Sequence, residues 1–171
     1  MDTTFRPMRR KNQLLPEAEC LAILNQVTNG VLALSGDHGY PYAVPLSYVY
    51  ANGKLYFHGA KQGHKLDAVR RESKASFCVV DQDIVQPEKY ATLYRSVIVF
   101  GKIRVLEDPA EIRAAIEMLG LRYAPDNPRE MLDKEIDTEW PALCMFEMTV
   151  EHMTGKEAKA LTAKRRQDPT V

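Results

Sequence analysis

The dipeptide Asn52-Gly53, set between the runs YPYAVPLSYVY and KLYFHG, constrains this chain more than any other feature. Both central residues of a type I′ turn need positive φ, and asparagine followed by glycine reaches that conformation with little strain. The flanking runs are aromatic and β-branched, so an antiparallel hairpin is expected here. Pro41 and Pro45 cannot donate to a ladder, which marks the first run as an edge, a bulge or a place where the sheet parts.

Immediately after the hairpin, the chain reads FHGAKQGHKLDAV. Leu66 and Val69 lie three apart among charged residues, as on a short amphipathic helix beginning near Gly63. A helix N-terminus leaves backbone N–H groups unpaired and carries partial positive charge, so it favours an anion. Gly63 permits close backbone approach, and Lys61, His64 and Lys65 add donors around the same point. From spacing alone, the corner reads either as a phosphate site or as a solvated turn that is merely basic.

Other segments complete the outline. PEAECLAILNQVTNG reads as a helix with Pro16 in its first turn and Gly30 at its end, GVLALS as a strand and ASFCVV as another. QDIVQPEKYATL reads as a loop, and YRSVIVFGKIRVLE as a long strand with a bulge or bend at Gly101. Asp108 caps a helix carrying Ile112, Ala115, Ile116 and Leu119 on one face. RYAPDNPREMLDKEIDTEW reads as loop with a short helical turn, and ALCMFEMTV as the last strand. Six short strands with turn signals between them, and no βαβ rhythm, predict a mainly β domain with peripheral helices, closed as a small antiparallel barrel. The expected organisation is a basic arm over 1–12, the barrel domain over 13–155 and an exposed charged tail over 156–171.

Hydrophobic residues at 45% and charged residues at 27% fit an ordinary globular chain. Lys plus Arg and Asp plus Glu each number 23, so no global field favours nucleic acid or an anionic membrane, and any anion must be bound locally. Arg9, Arg10 and Lys11 make a weak electrostatic footprint, better suited to an arm lying across the barrel than to nucleic acid. No run is long enough to span a bilayer and MDTTFRPMRRK lacks a signal-peptide core, so a cytoplasmic location is expected. His38, His58, His64 and His152 form no HxxxH or HExxH pair, which argues against a metal site. Cys20, Cys78 and Cys144 each sit in or beside an apolar run and read as buried thiols. No nucleophile elbow is present.

The succession GYPYAVPLSYVYANGKLYFHGAKQGHKLDAVRRESKASFCV, with YRSVIVFGKIR later, resembles the FMN-binding split barrel superfamily that includes pyridoxamine 5′-phosphate oxidase. Within it, LYFHGAKQGHKLD is similar to the branch of 5-nitroimidazole resistance (Nim) proteins, over roughly residues 8–153. The resemblance implies a six-stranded antiparallel split barrel, a homodimer and FMN in two sites at the subunit interface. It implies that Val44, Pro45, Leu46 and Ser47 line the flavin ring, and that His58, Gly59 and Ala60 follow the ribityl chain. Gly63, His64 and Lys65 would grip the phosphate, with His64 also the expected catalytic residue beside the ring. Arg95 and Ser96 would approach the cofactor, from either subunit, and Trp140 would cover it. The oxidase proper carries an arginine-lysine pair at the phosphate corner and an arginine-rich C-terminal segment, where this chain has GHK and KEAKALTAKRRQDPTV. Pyridoxamine phosphate oxidation is therefore not expected. The implied activity is reduction of a small electron-poor substrate, a nitro group going to the amine. The alternatives are a flavin-storage module, a haem-binding split barrel and a purely structural dimer.

Overall fold

The structure is a computed structural model that describes residues 5–167. After a short 3-10 turn at Lys11–Gln13, it contains α1 (Glu17–Gln26), β1 (Asn29–Ser35), β2 (Pro41–Ser47), β3 (Val49–Ala51), β4 (Lys54–Ala60) and α2 (His64–Arg71). There follow β5 (Lys74–Gln86), β6 (Ala91–Val105), α3 (Pro109–Tyr123), α4 (Arg129–Glu139), β7 (Leu143–Glu157) and α5 (Lys159–Gln167). No described helix is long and apolar enough to cross a membrane.

The strands form one antiparallel sheet of seven, in the order β2-β1-β5-β6-β7-β4-β3. Six were expected, and the difference lies in YPYAVPLSYVY, which is two strands. Its first part turns back to pair with β1 over Asn29↔Ser47 to Ser35↔Pro41, while only Val49–Ala51 pairs with β4 across the hairpin. The turn itself is as expected, with Asn52 at φ 51° and Gly53 at φ 76°. The first and last strands of the sheet are thus joined by one residue, Tyr48, which forces the sheet to curl until its two edges meet. They meet without a ladder between them, so the barrel is split.

Tyr48 is fully buried and held at both ends. Its hydroxyl donates to the Leu24 carbonyl at 2.9 Å, and its backbone N–H donates to the Tyr123 hydroxyl at 3.0 Å. Tyr123 in turn lies against the carbonyls of Thr28 and Tyr48, so the end of α3 staples the seam. Inside the barrel, strand alternation buries Leu32, Leu55, Phe57, Phe77, Val79, Val97, Val99, Phe146 and Met148. Each such side chain contributes about 1.5–3 kcal/mol over its exposed state. Phe77 centres the packing, 4.8 Å from the Tyr48 ring and 5.1 Å from that of Phe57.

Several expectations need correction. Gly30 does not end α1, which stops at Gln26; it lies in β1, where a Cβ would sit 2.4 Å from the Phe77 ring. The expected loop at QDIVQPEKYATL is the far end of a hairpin, because β5 and β6 stay paired as far as Gln86↔Ala91. The segment after α3 supplies all of α4, fastened through Arg113 to Asp133 and to Asp137 at 2.7 Å, and through Arg129 to Glu117 at 2.6 Å. At the C-terminal boundary, β7 runs through Glu157 and α5 follows, where an exposed tail was expected from 156. Glu157 is fully buried because Arg165 closes on it at 2.8 Å and Arg95 at 3.4 Å. The expected bulge at Gly101 is present as a register shift after Phe100, and a Cβ there would lie 2.0 Å from the Thr149 carbonyl oxygen. The described part of the basic arm lies across β6 and β7, with Phe5 stacked 4.6 Å from His152.

Candidate functional site

The site is built from two strand edges that lack partners. In β2 the prolines fall on positions whose nitrogen faces away from β1, since the Tyr40 carbonyl before them already points inward, accepting from Gly36 at 2.8 Å. The outward edge therefore offers the N–H groups of Ala43 and Ser47, while Tyr42, Val44 and Leu46 pack towards the core. Opposite, β4 loses β3 after Tyr56, so residues Phe57–Ala60 pair with β7 on one side only. These two edges are neighbours across the seam.

One end of the seam is closed by α2. Gly63 precedes it at φ 111° with no atom near its missing side chain, and no side chain caps the helix. The first N–H groups of α2 are thus left to face the corner. Lys65 folds back along β4, its Nζ donating to the His58 carbonyl at 3.0 Å and lying 5.3 Å from the Phe146 ring centroid. That path exists because Gly59 has no Cβ; one would stand 2.7 Å from the ammonium. Partial burial holds the Lys65 pKa below its ordinary value. Burial, and then the neighbouring Lys65 charge, likewise lower that of His58.

His64 points the other way, towards β2. Its ring stacks on Tyr42 at 4.0 Å, and Nε2 lies 3.6 Å from an Asp37 oxygen. Asp37 also accepts from Arg71 at 2.9 Å, which holds its carboxyl below the usual range, with His64 adding to the effect. Lys61 donates to the Trp140 carbonyl at 3.3 Å. Among the described residues, Lys61, Lys65 and Arg70 pair with no carboxylate, and all three lie close enough to Cys144 to act on its charge. Burial nevertheless dominates there and raises the Cys144 pKa, so the thiol is not an activated nucleophile.

The expected site residues therefore separate into two groups. Val44, Pro45, Leu46 and Ser47 on β2, His58, Gly59 and Ala60 on β4, and Gly63, His64 and Lys65 at α2 converge on the seam and its corner. Trp140, at the end of α4, stands beside them through Lys61. Arg95 and Ser96 do not join them in this chain: Gly59 lies opposite Cys144 near the start of β7, whereas Arg95 lies opposite Glu157 at its far end. Arg95 is occupied by Glu157 and Asp81, although its buried Nε has no partner. Sequence reasoning missed Asp37, Tyr42 and Arg71. GDHG read only as turn chemistry, and the contact with His64 exists only once β2 has folded back on β1. Among the described residues, no group of three or more His, Cys, Asp or Glu is placed to hold a metal.

A model of the pyridoxamine 5′-phosphate oxidase family matches residues 16–157, which include both edges and the corner. The chain belongs to this family. Among solved structures, this oxidase-family chain is similar to a protein of Bacteroides thetaiotaomicron provisionally assigned to 5-nitroimidazole antibiotic resistance. Identity is 22% and TM-score 0.73, covering 84% of this chain and 86% of the other. It is also similar to a FAD-binding protein of Mesorhizobium loti, at 26% identity and TM-score 0.59 over 86% and 98% of the two chains. A FAD- and haem-binding protein of Mycobacterium smegmatis shares 20% identity at TM-score 0.68, over 87% and 74%. No curated protein matches the sequence significantly.

The corner of this oxidase-family chain fits a phosphate. Its donors are an uncapped helix N-terminus and ammonium and guanidinium groups without carboxylate partners. The one carboxylate of the β1–β2 turn is already neutralised by Arg71. The seam beside it presents backbone donors over an apolar floor, a surface that can take the edge of a planar, polar-rimmed ring.

Proposed function

We propose that the chain binds FMN along the seam and reduces a small electron-poor substrate, in its most specific form the nitro group of a nitroimidazole taken to the amine. The observation that carries the proposal is the set of unneutralised donors around the α2 N-terminus, next to two unpaired strand edges. FMN is preferred to FAD because the corner provides a single helix N-terminus, suited to one terminal phosphate. The names of the flavin-binding relatives in Mesorhizobium loti and Mycobacterium smegmatis support a flavin of some kind.

In this reading Val44, Pro45, Leu46 and Ser47 meet the ring, His58, Gly59 and Ala60 meet the ribityl chain, and Gly63 and Lys65 hold the phosphate. When bound, the flavin supplies electron acceptance and donation, drawing on a soluble hydride donor. The chain's own residues orient and exclude water. His64, held between Tyr42 and Asp37, is the proton donor at the seam. Trp140 covers the corner. The proposed working form is a cytoplasmic homodimer with two sites, in which Arg95 and Ser96 reach the cofactor of the partner subunit.

The test is the visible spectrum of the purified protein, with chromatographic identification of the released chromophore. Flavin bands and released FMN support the proposal, and rapid oxidation of the pre-reduced protein by a nitroimidazole supports its catalytic part. A flavin protein inert to every acceptor would be a storage module. A Soret band would mean haem, and a colourless protein that leaves FMN fluorescence unquenched would end the assignment.

A further inference from the structure

A cavity of about 570 Å³ opens beside the seam, between the end of β4 and the helix pair α3–α4. His58, Gly59 and Ala60 all line it. His58 and Ala60 lie on the face of the strand opposite the buried Leu55 and Phe57, and Gly59 between them leaves the backbone uncovered. These three are the residues placed along the ribityl chain in the flavin reading above, so the cavity borders the proposed cofactor track. The remaining wall is apolar, with Ile116 and Leu119 from α3, Leu132 and Ile136 from α4, and Leu143 from β7. Its back is sealed by the close approach of the two helices at Gly120, where a Cβ would lie 2.4 Å from the Leu132 methyl.

Its mouth is acidic, in contrast to the corner. Glu135 and Glu139 stand one turn apart on α4, both exposed, and neither has an ion-pair partner among the described residues. Two other acids of α4 are used differently: Asp133 and Asp137 both pair with Arg113 of α3. On either side of the end of β4, then, are a basic corner and an apolar chamber rimmed by two carboxylates without ion-pair partners among the described residues.

We infer that this chamber takes the substrate of the flavin site, and that it selects a small planar heteroaromatic ring that is neutral or cationic while rejecting anionic rings. Resting on the flavin reading above, the inference adds the class of molecule that the site accepts. The apolar wall receives the ring, and the glutamates accept hydrogen bonds from its N–H groups or offset its charge. An anionic ring would be repelled by Glu135 and Glu139 at the rim.

The experiment exploits the only tryptophan of the chain, Trp140, which follows Glu139 directly and whose emission a nitroaromatic quenches on binding. 4(5)-Nitroimidazole, which keeps its ring N–H, and 4-nitrobenzoate are titrated into the purified protein, with flavin content read separately by absorbance. The wild type should bind the nitroimidazole at least about tenfold more tightly than the benzoate. Ala142→Phe, at an exposed lining position, should fill the chamber and weaken nitroimidazole binding by about tenfold or more, with flavin content and melting temperature unchanged. Glu135→Gln with Glu139→Gln should abolish the preference between the probes. Unchanged nitroimidazole affinity in Ala142→Phe, or a preference that survives both glutamine substitutions, would overturn the inference. Since binding is read without turnover, absence of flavin from the wild type would count against the flavin proposal alone, the probe titration still deciding the chamber.

Discussion

Gly59→Ala should separate cofactor affinity from fold stability, because of what the added methyl would meet. Its Cβ would lie 2.7 Å from Lys65 Nζ, 2.8 Å from Lys65 Cε and 3.1 Å from a Phe146 ring carbon. The first two contacts are with the end of a flexible side chain, which can swing away, and the ring edge needs to yield by only a few tenths of an ångström. Alanine in a strand also regains about 0.5–1 kcal/mol of the conformational penalty that glycine carries. Stability should therefore stay within about 1 kcal/mol of wild type, as measured by urea denaturation. Cofactor affinity should not, because Lys65 must leave the His58 carbonyl and the corner it borders. A lost hydrogen bond to a charged group is worth about 1.5–3 kcal/mol, and at a partly exposed ammonium the lower figure applies, so FMN should bind about tenfold more weakly. The assay is a titration of flavin fluorescence quenching, with Lys65→Ala as the reference for complete loss. If Gly59→Ala binds FMN as wild type does while Lys65→Ala fails, the observed position of Lys65 is not its working position. If both bind normally, Lys65 is no phosphate ligand.

Tyr123→Phe should cost about 1–3 kcal/mol in urea denaturation, since it leaves the Tyr48 N–H at the seam without its acceptor; a loss below about 0.5 kcal/mol would show that the staple is dispensable. Glu147 is buried, which raises its pKa, yet Arg104 and Lys54, each at 2.9 Å, outweigh this and hold it below its ordinary value. Its contribution to stability is therefore full above the ordinary carboxylate pKa and is lost as pH falls through the lowered one. The acid limb of a stability–pH curve should accordingly flatten in Glu147→Gln, and an unchanged limb would refute the pairing.

The sequence made legible those features whose causes are local. Asn52-Gly53 turns as its φ requirement demands, Asp108 caps α3 by accepting from Ala110 at 2.7 Å, and Gly63 opens α2 at the expected residue. The prolines warned that the sheet parts, but not that the run around them would divide between opposite edges of one sheet, which depends on where β1 and β4 lie. α4 was hidden because its sequence is polar and proline-flanked, and its stability comes from Arg113 and Arg129 reaching acids on both helices. The charged tail hid α5 for the same reason, its anchor being a carboxylate buried only after folding. At the site, the residues of one continuous segment, from the corner through α2, were readable. His64's partners Tyr42 and Asp37 were not, since they arrive from another hairpin.

The joining of the outermost strands through Tyr48 also sets an order of events during synthesis. β1–β2 and β3–β4 can each form as soon as they are made, but bringing them edge to edge requires β1 to find β5 and β4 to find β7, the latter pairing Lys54 with Thr149. Such distant contacts form slowly because loop closure precedes any gain from pairing. The groove between β2 and β4 therefore comes into being only when the ring is complete. A nascent chain that has not yet reached β7 has both hairpins and the basic corner, but nothing to hold them around a ligand.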